Sequence, residues 1–180
     1  FFPTKNLSAM GDGGAICTSN KKIFTKLLKI RQYGWNSKRI SLIRGLNSRM
    51  DELQASILNV KLRFLNKDIT ERRKIAKIYD NKINQKKYKL PIQRKNSKHS
   101  YHIYSIQHKS RDKLKSFLQK KGYYCGIHYQ TPVHKMPFFK KKKNKLNVTE
   151  KLSKKFLSLP IYPEMKQKDV LKVIKLLNSF

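Results

Sequence analysis

The chain has 180 residues, 38% of them hydrophobic, with nine Phe, nine Tyr and one Trp. That is enough apolar material for a packed core, which excludes a disordered tail. No apolar run reaches the roughly 18 residues that a membrane-spanning helix needs. Basic residues outnumber acidic ones by 43 to 10, for a net charge of +33.

A charge of this size ordinarily points to nucleic acid or an anionic surface. Here 34 of the basic residues are Lys and only nine are Arg, spread over nearly the whole chain. Base-reading proteins lean on the planar, bidentate fork of Arg. Together with abundant Ile and Asn, the pattern reads as compositional drift on a solvated surface, with no specific nucleic-acid site. Such a surface still promotes weak, salt-sensitive binding to polyanions. The one dense cluster, Lys140 to Lys143 with Lys145, reads as an exposed loop insertion. The first residue is Phe, not Met, and the opening residues read as loop and strand. We therefore expect a missing or processed start and no signal peptide.

In chain order, a turn rich in Pro, Gly and Asn opens the sequence and carries Lys5. A short apolar run, Ala15 to Thr18, follows and reads as a strand. Asn20 is placed to cap a helix over Lys21–Gln32, with Ile23, Leu27, Leu28 and Ile30 as its core face. Tyr33 to Ser37 reads as a turn. From Asp51 to about Ile83 the pattern predicts one long helix with a broad apolar first half. Its second half keeps only Ile75, Ile78, Tyr79 and Ile83, and reads as a surface helix.

Residues 86–100 form a basic stretch around Pro91, read as a linker. Beyond it we expect a strand over Tyr101–Gln107, a helix over Arg111–Lys121 stopped by Gly122, and a strand over Tyr123–His128. A Pro-rich loop over Thr131–Phe139 precedes a helix over Val148–Leu157, with Thr149 as a possible cap. A short extended Leu159–Tyr162 and a closing helix over Lys168–Leu177 complete the chain. Alternating strands and helices predict an α/β or α+β architecture. Residues 1–85 form one part, 86–100 a linker, and 101–180 a small C-terminal subdomain. Cys17 and Cys125 lie far apart in apolar runs, so both read as buried thiols, which fits a reducing cytoplasm.

Three places could carry chemistry. Lys5 in its Gly-rich turn is either an ordinary solvated lysine or a desolvated amine nucleophile. Asn47 to Glu52 stands where a loop becomes a helix. Capping explains these residues, while Asn47 and Arg49 are also suited to donate to a phosphate or carboxylate. His128 and Tyr129 end a predicted strand, with His134 six residues on from His128. No Cys or carboxylate accompanies the two histidines in sequence, and their spacing does not suit a metal. No Ser-His-Asp set, P-loop or dinucleotide fingerprint is present.

Taken together, the segments resemble a known family. Phe2-Pro3-Thr4-Lys5-Asn6-Leu7 with Gly11-Asp12-Gly13-Gly14-Ala15 resembles the cofactor-lysine segment of the DegT/DnrJ/StrS sugar aminotransferases. Gly45-Leu46-Asn47-Ser48-Arg49-Met50-Asp51-Glu52-Leu53-Gln54-Ala55, Gly126-Ile127-His128-Tyr129 and Leu157-Ser158-Leu159-Pro160-Ile161-Tyr162-Pro163 resemble its later hallmarks, in order and spacing.

The resemblance implies fold type I, the aspartate-aminotransferase-like α/β fold. It implies pyridoxal 5′-phosphate as cofactor, with Lys5 as the residue that binds it covalently and then moves protons. Asn47 would reach the cofactor phosphate of a neighbouring subunit in a homodimer with shared active sites. Arg49, His128 and Tyr129 would face a nucleotide sugar, with glutamate as amino donor. Relatives that carry His in place of the lysine deoxygenate instead, so Lys5 favours transamination. The implied setting is the cytoplasmic synthesis of cell-surface polysaccharide sugars such as those of O-antigen.

The family pattern also places a large portion ahead of this lysine, holding the pyridine-nitrogen Asp, the ring-stacking aromatic and the main phosphate loop. The resemblance therefore implies the C-terminal part of such an enzyme. Residues 1–85 would be the end of the cofactor-binding large domain. The alternatives are a non-catalytic remnant or assembly partner and, more remotely, a basic nucleic-acid-binding module.

Overall fold

Asn20 starts the first helix as its sequence predicts. Its Oδ1 accepts from the amides of Lys22 at 3.0 Å and Ile23 at 3.1 Å, satisfying two of the orphan donors at a helix start. In the computed structural model, which describes residues 1–139 and 145–180, helix α1 runs over Lys21–Ile30. The expected insertion at Lys140 to Lys143 lies outside the described residues. The chain divides into two compact units, Phe1–Leu65 and Asn66–Phe180.

In the first unit α1 ends in a tight reversal. The Gly34 amide donates to Lys29 O at 2.8 Å, and Tyr33 and Gly34 both adopt positive φ, 57° and 73°. The chain then returns beside its own turn: Leu46 N donates to Ile30 O, Tyr33 N to Leu46 O, and Ser48 N to Arg31 O. Two expectations fail here. The predicted core face of α1 is not covered by the described residues, with Ile23 49% and Leu28 43% exposed. Ala15 to Thr18 forms no strand and Cys17 is exposed, because a strand needs a hydrogen-bonding neighbour and this run has none among the described residues.

The predicted helix from Asp51 to Ile83 is two helices, α2 over Glu52–Leu62 and α3 over Leu65–Lys82. At the break, Arg63 N donates to Val60 O and Phe64 N to Lys61 O. These i−3 bonds tighten the last turn and stop the i−4 ladder. The apolar stripes suggested that the first half is the better covered, and the reverse is found. Leu58 is the one buried residue of α2, whereas α3 buries Arg72, Ile75, Ala76 and Tyr79.

The second unit is built on a two-stranded antiparallel sheet. Strand β1, Tyr104–Gln107, pairs with β2, Phe156–Leu159, in the register Tyr104 to Leu159 and Gln107 to Phe156. Helix α4 (Arg111–Lys120) and helix α6 (Gln167–Ser179) contribute Leu114, Leu118, Val170, Val173 and Leu177 to a core shared with Ile75, Tyr79, Ile106 and Leu157. Gly122 has φ 84° just past α4, the left-handed C′ position expected of it.

Three boundaries shift. The strand predicted over Tyr101–Gln107 keeps its last four residues. The strand predicted over Tyr123–His128 is reduced to one bridge, Gly126 to Ser158. The helix predicted over Val148–Leu157 ends early as α5, Asn147–Ser153, because Phe156–Leu159 pairs with β1, and Thr149 lies inside α5 and does not cap it. The basic segment 86–100 is anchored within this unit: Tyr88 is buried and its hydroxyl donates to Leu177 O at 2.8 Å, and Lys89 pairs with Gln107.

Candidate active site

The turn that carries Lys5 is tied down from both ends. Lys5 N donates to Phe2 O at 2.9 Å, Ala9 N to Phe1 O at 2.7 Å, and the Phe1 nitrogen to Gly13 O at 2.6 Å. Helix α2 then fixes its far side. Gln54 Oε1 accepts from Met10 N at 2.8 Å, and Lys61 Nζ donates to Ser8 Oγ at 2.6 Å. Ser8 and Ala9 are buried, while the Lys5 side chain is exposed and forms no hydrogen bond or ion pair among the described residues. The result is a lysine side chain without a partner among the described residues, carried on a turn that is hydrogen-bonded on both sides.

Asn47 and Arg49 lie in the same unit. Asn47 pairs through its backbone with Gln32, and its exposed side-chain amide is available to donate. The Arg49 guanidinium sits over the Tyr33 ring, 5.6 Å from its centroid. Tyr33 in turn packs on Trp35 at 4.7 Å, and Arg39 lies 6.0 Å from the Trp35 ring. Arg49, Arg39, Trp35 and Gln32 line one open pocket. Two cations held on aromatic faces with no acid beside them suit an anionic ligand. No hydrogen bond among the described residues joins Lys5 to Asn47 or Arg49.

His128 and Tyr129 belong to the second unit. His128 Nδ1 lies 2.9 Å from Ser158 Oγ, and the two rings meet edge to face at 5.5 Å. A side-chain carbon at Gly126 would lie 2.5 Å from His128 Cε1, so only glycine leaves room for this ring. The peptide between His128 and Tyr129 is cis. Tyr129 is 73% exposed.

The two aromatic residues under Arg49 and Arg39 and the partner of one histidine were not legible in the sequence. Tyr33 and Trp35 appeared only as turn residues. His134, which lacks a carboxylate nearby in sequence, has one in space: its Nε2 lies 3.0 Å from Glu150 Oε1, and Lys135 Nζ lies 3.1 Å from Oε2. These donors hold the Glu150 carboxyl down at about 2, His134 most of all. The thiol of Cys125, buried as expected, is pushed up to about 12 by desolvation. Among the described residues no cluster of three or more His, Cys, Asp or Glu is placed to hold a metal, and no helix is long and apolar enough to cross a membrane.

The DegT/DnrJ/EryC1/StrS aminotransferase family model matches residues 1–178. The chain belongs to this family. It is 37% identical, over its whole length, to the pleiotropic regulatory protein of Geobacillus stearothermophilus, covering 50% of that protein. It is 35% identical to the dTDP-3-amino-3,6-dideoxy-alpha-D-galactopyranose transaminase of Aneurinibacillus thermoaerophilus, with 93% of this chain and 47% of that one covered. A crystal structure of a DegT DnrJ EryC1 StrS aminotransferase from Brucella abortus superposes with a TM-score of 0.94 at 32% identity, covering 100% of this chain and 49% of that one. The fold is thus that of the family's aminotransferases, in its mixed α/β form. The chain spans about half the length of the curated relatives it matches.

The residues present fit pyridoxal 5′-phosphate, the cofactor of this family. The chemistry requires an amine held free of ion pairs where an aldehyde can reach it, and Lys5 on its anchored turn meets that requirement.

Proposed function

We propose that this chain is the C-terminal part of a pyridoxal-phosphate-dependent aminotransferase. It would transfer an amino group from glutamate to a dTDP- or UDP-linked keto-deoxysugar, in the cytoplasm, for cell-surface polysaccharides such as O-antigen. The observation that carries the reading is Lys5, an exposed side chain on a hydrogen-bonded turn in a chain that matches the family over residues 1–178. Residues 1–85 would be the end of the cofactor-binding domain, and 101–180 would form the small domain.

When bound, the cofactor supplies an electron sink conjugated to the carbon that gains or loses the amino group. Lys5 would hold the cofactor through its Nζ until the incoming amino group displaces it, and the amine so released would then give and take the proton at the reacting carbon. Gln54, Lys61 and Ser8 tie down the turn that carries Lys5. The Asn47 amide would donate to the cofactor phosphate of a neighbouring subunit in a homodimer. Arg49, raised on Tyr33, would take anionic oxygens of a nucleotide sugar, and His128 and Tyr129, in the other unit, would each have a nucleotide-sugar role of their own. The test is transfer of the glutamate amino group to a dTDP- or UDP-linked keto-sugar by protein containing this chain, with the cofactor's visible band recorded in parallel. Lys5→Ala should abolish the band and lower turnover on the order of a thousandfold, with unfolding unchanged.

The coverage of about half of each relative favours one second reading, a non-catalytic assembly partner. It predicts a chain that shows no Lys5-dependent band, even when supplied with a segment equivalent to the other half of a relative. Restoration of the band by that segment decides for the enzyme.

A further inference from the structure

The stretch that follows Gly126 is held at two points. Near its start, the His128 ring is bound to Ser158 on β2. Near its end, one carboxylate gathers three donors: Glu150 Oε1 takes His134 Nε2 at 3.0 Å and the Leu146 amide at 3.3 Å, while Oε2 takes Lys135 Nζ at 3.1 Å. Glu150 therefore ties α5 to the 3-10 turn Val133–Lys135. Between the two anchors stand Tyr129, Gln130 and Thr131, all exposed. This arch has no strand or helix of its own to hold it. Its shape depends on its ends.

We infer that Glu150 is a positioning residue, which through His134 and Lys135 fixes the arch that presents Tyr129 to a nucleotide-linked sugar. The clamp stands on the distances above, and the ligand at Tyr129 rests on the substrate reading just proposed. Two features favour a clamp over an incidental surface ion pair. His134 is deeply set, with its side chain 12% exposed, and neither it nor Lys135 has a second carboxylate among the described residues. Removing Glu150 thus leaves a lysine and an imidazole side by side with no anion between them, and the 3-10 turn loses its hydrogen-bonded and ionic ties to α5 among the described residues. An arch ordered in advance spares the ligand the entropy of ordering it, so the gain belongs to binding and not to chemistry.

The experiment compares Glu150→Ala and Glu150→Gln with the parent chain by amide hydrogen exchange. The reporting amides are those of Lys135 and Met136, which donate to Pro132 O and Val133 O. In Glu150→Ala they should exchange about tenfold faster or more, while Ile106 and Leu157 of the sheet keep their rates. Glu150→Gln retains an acceptor for His134 and should recover part of the protection. In the active protein, Glu150→Ala should raise KM for the nucleotide sugar about tenfold with kcat changed less than about threefold. Unchanged exchange at Lys135 and Met136, or equal acceleration in the sheet, overturns the clamp. Faster exchange with an unaltered KM overturns the positioning role. A protein with no activity on any nucleotide sugar removes the substrate reading, and the exchange data still judge the clamp.

Discussion

Gly45 packs directly against the backbone of Gly34: a side-chain carbon at Gly45 would fall 2.1 Å from Gly34 N. Gly34 is as confined on its other side, where such a carbon would lie 1.8 Å from Ile43 O at a φ of 73°. The reversal after α1 thus closes glycine on glycine, which lets the Arg31–Gly34 turn and the Leu46–Ser48 strip share hydrogen bonds. Gly45→Ala should destabilise the first unit by about 1–3 kcal/mol. Gly34→Ala should cost more, because it adds about 1–2 kcal/mol for the left-handed backbone. Trp35, the only tryptophan of the chain, reports this unit by fluorescence in denaturant. Gly14→Ala, where nothing lies within 4 Å, is the control and should shift stability by less than about 0.5 kcal/mol. Equal midpoints for all three variants would disprove the close packing.

Gly126→Ala should separate positioning from stability. The atom that a new methyl group would strike is the end of the His128 ring, and a ring can rotate away where a backbone cannot. The expected cost is therefore below about 1.5 kcal/mol, but His128 should leave Ser158. Ser158→Ala provides the same loss without the crowding. Nuclear magnetic resonance of the His128 ring, compared between the two variants, checks this. A ring environment unchanged in Gly126→Ala would contradict the geometry.

Arg72 is buried in the second unit, and its Nη1 donates to Ile161 O at 2.8 Å and Tyr101 O at 3.3 Å. Burial lowers its affinity for the proton, with Asp68 and Glu164 acting the other way. Arg72→Ala would strand two buried carbonyls and open a gap, for a loss of about 2–4 kcal/mol. Arg72→Lys should recover part of this, having one compact donor group in place of a fork. Far-ultraviolet circular dichroism in urea measures both. Wild-type stability in the Ala variant would show that the guanidinium is not what joins these segments.

The Glu150 clamp has a defined pH window. Its carboxyl is depressed from 4.5 to about 2, by His134 first and then Lys135. A depressed carboxyl contributes stability that is fully present above its unfolded value and is lost as pH falls through its folded value. The clamp should therefore hold at pH 5 and above and release between about 4.5 and 2. Protection of the Lys135 and Met136 amides, followed down this range, should fall in the parent chain and stay low throughout in Glu150→Ala. A parent profile as flat as that of the variant would refute the window.

Features decided within a few residues were legible in the sequence. The Asn20 cap that starts α1 and the Gly122 stop came out as read, because capping and left-handed glycine are local chemistry. Helix α1 itself ends at Ile30, two residues short of its expected end. Features that depend on a distant partner did not. Ala15 to Thr18 has the composition of a strand but lacks a neighbour to pair with among the described residues, while Phe156 and Leu157 looked helical until β1 claimed them. The apolar stripe of α3 seemed thin because Ala76 is small and Arg72 carries a charge on its apolar stem, yet both are buried. At the site, the glycines around Lys5 gave the turn away. Gln54 and Lys61, which secure that turn from 44 and 53 residues off, gave no comparable signal, and nothing in the spacing singled out Glu150 as the partner of His134.

The register of β1 against β2 bears on how the second unit assembles. Helix α4 can form from contacts within its own ten residues, whereas the ladder joins Gln107 to Phe156 across everything between them. Closing so long a loop has to precede any reward from the four paired residues. Helix α4 should therefore be present early in folding and the ladder late, with the Gly126 bridge to Ser158 added only once the second strand is in place. The arch bearing Tyr129, which hangs from that bridge, would be among the last parts of the unit to take its final shape.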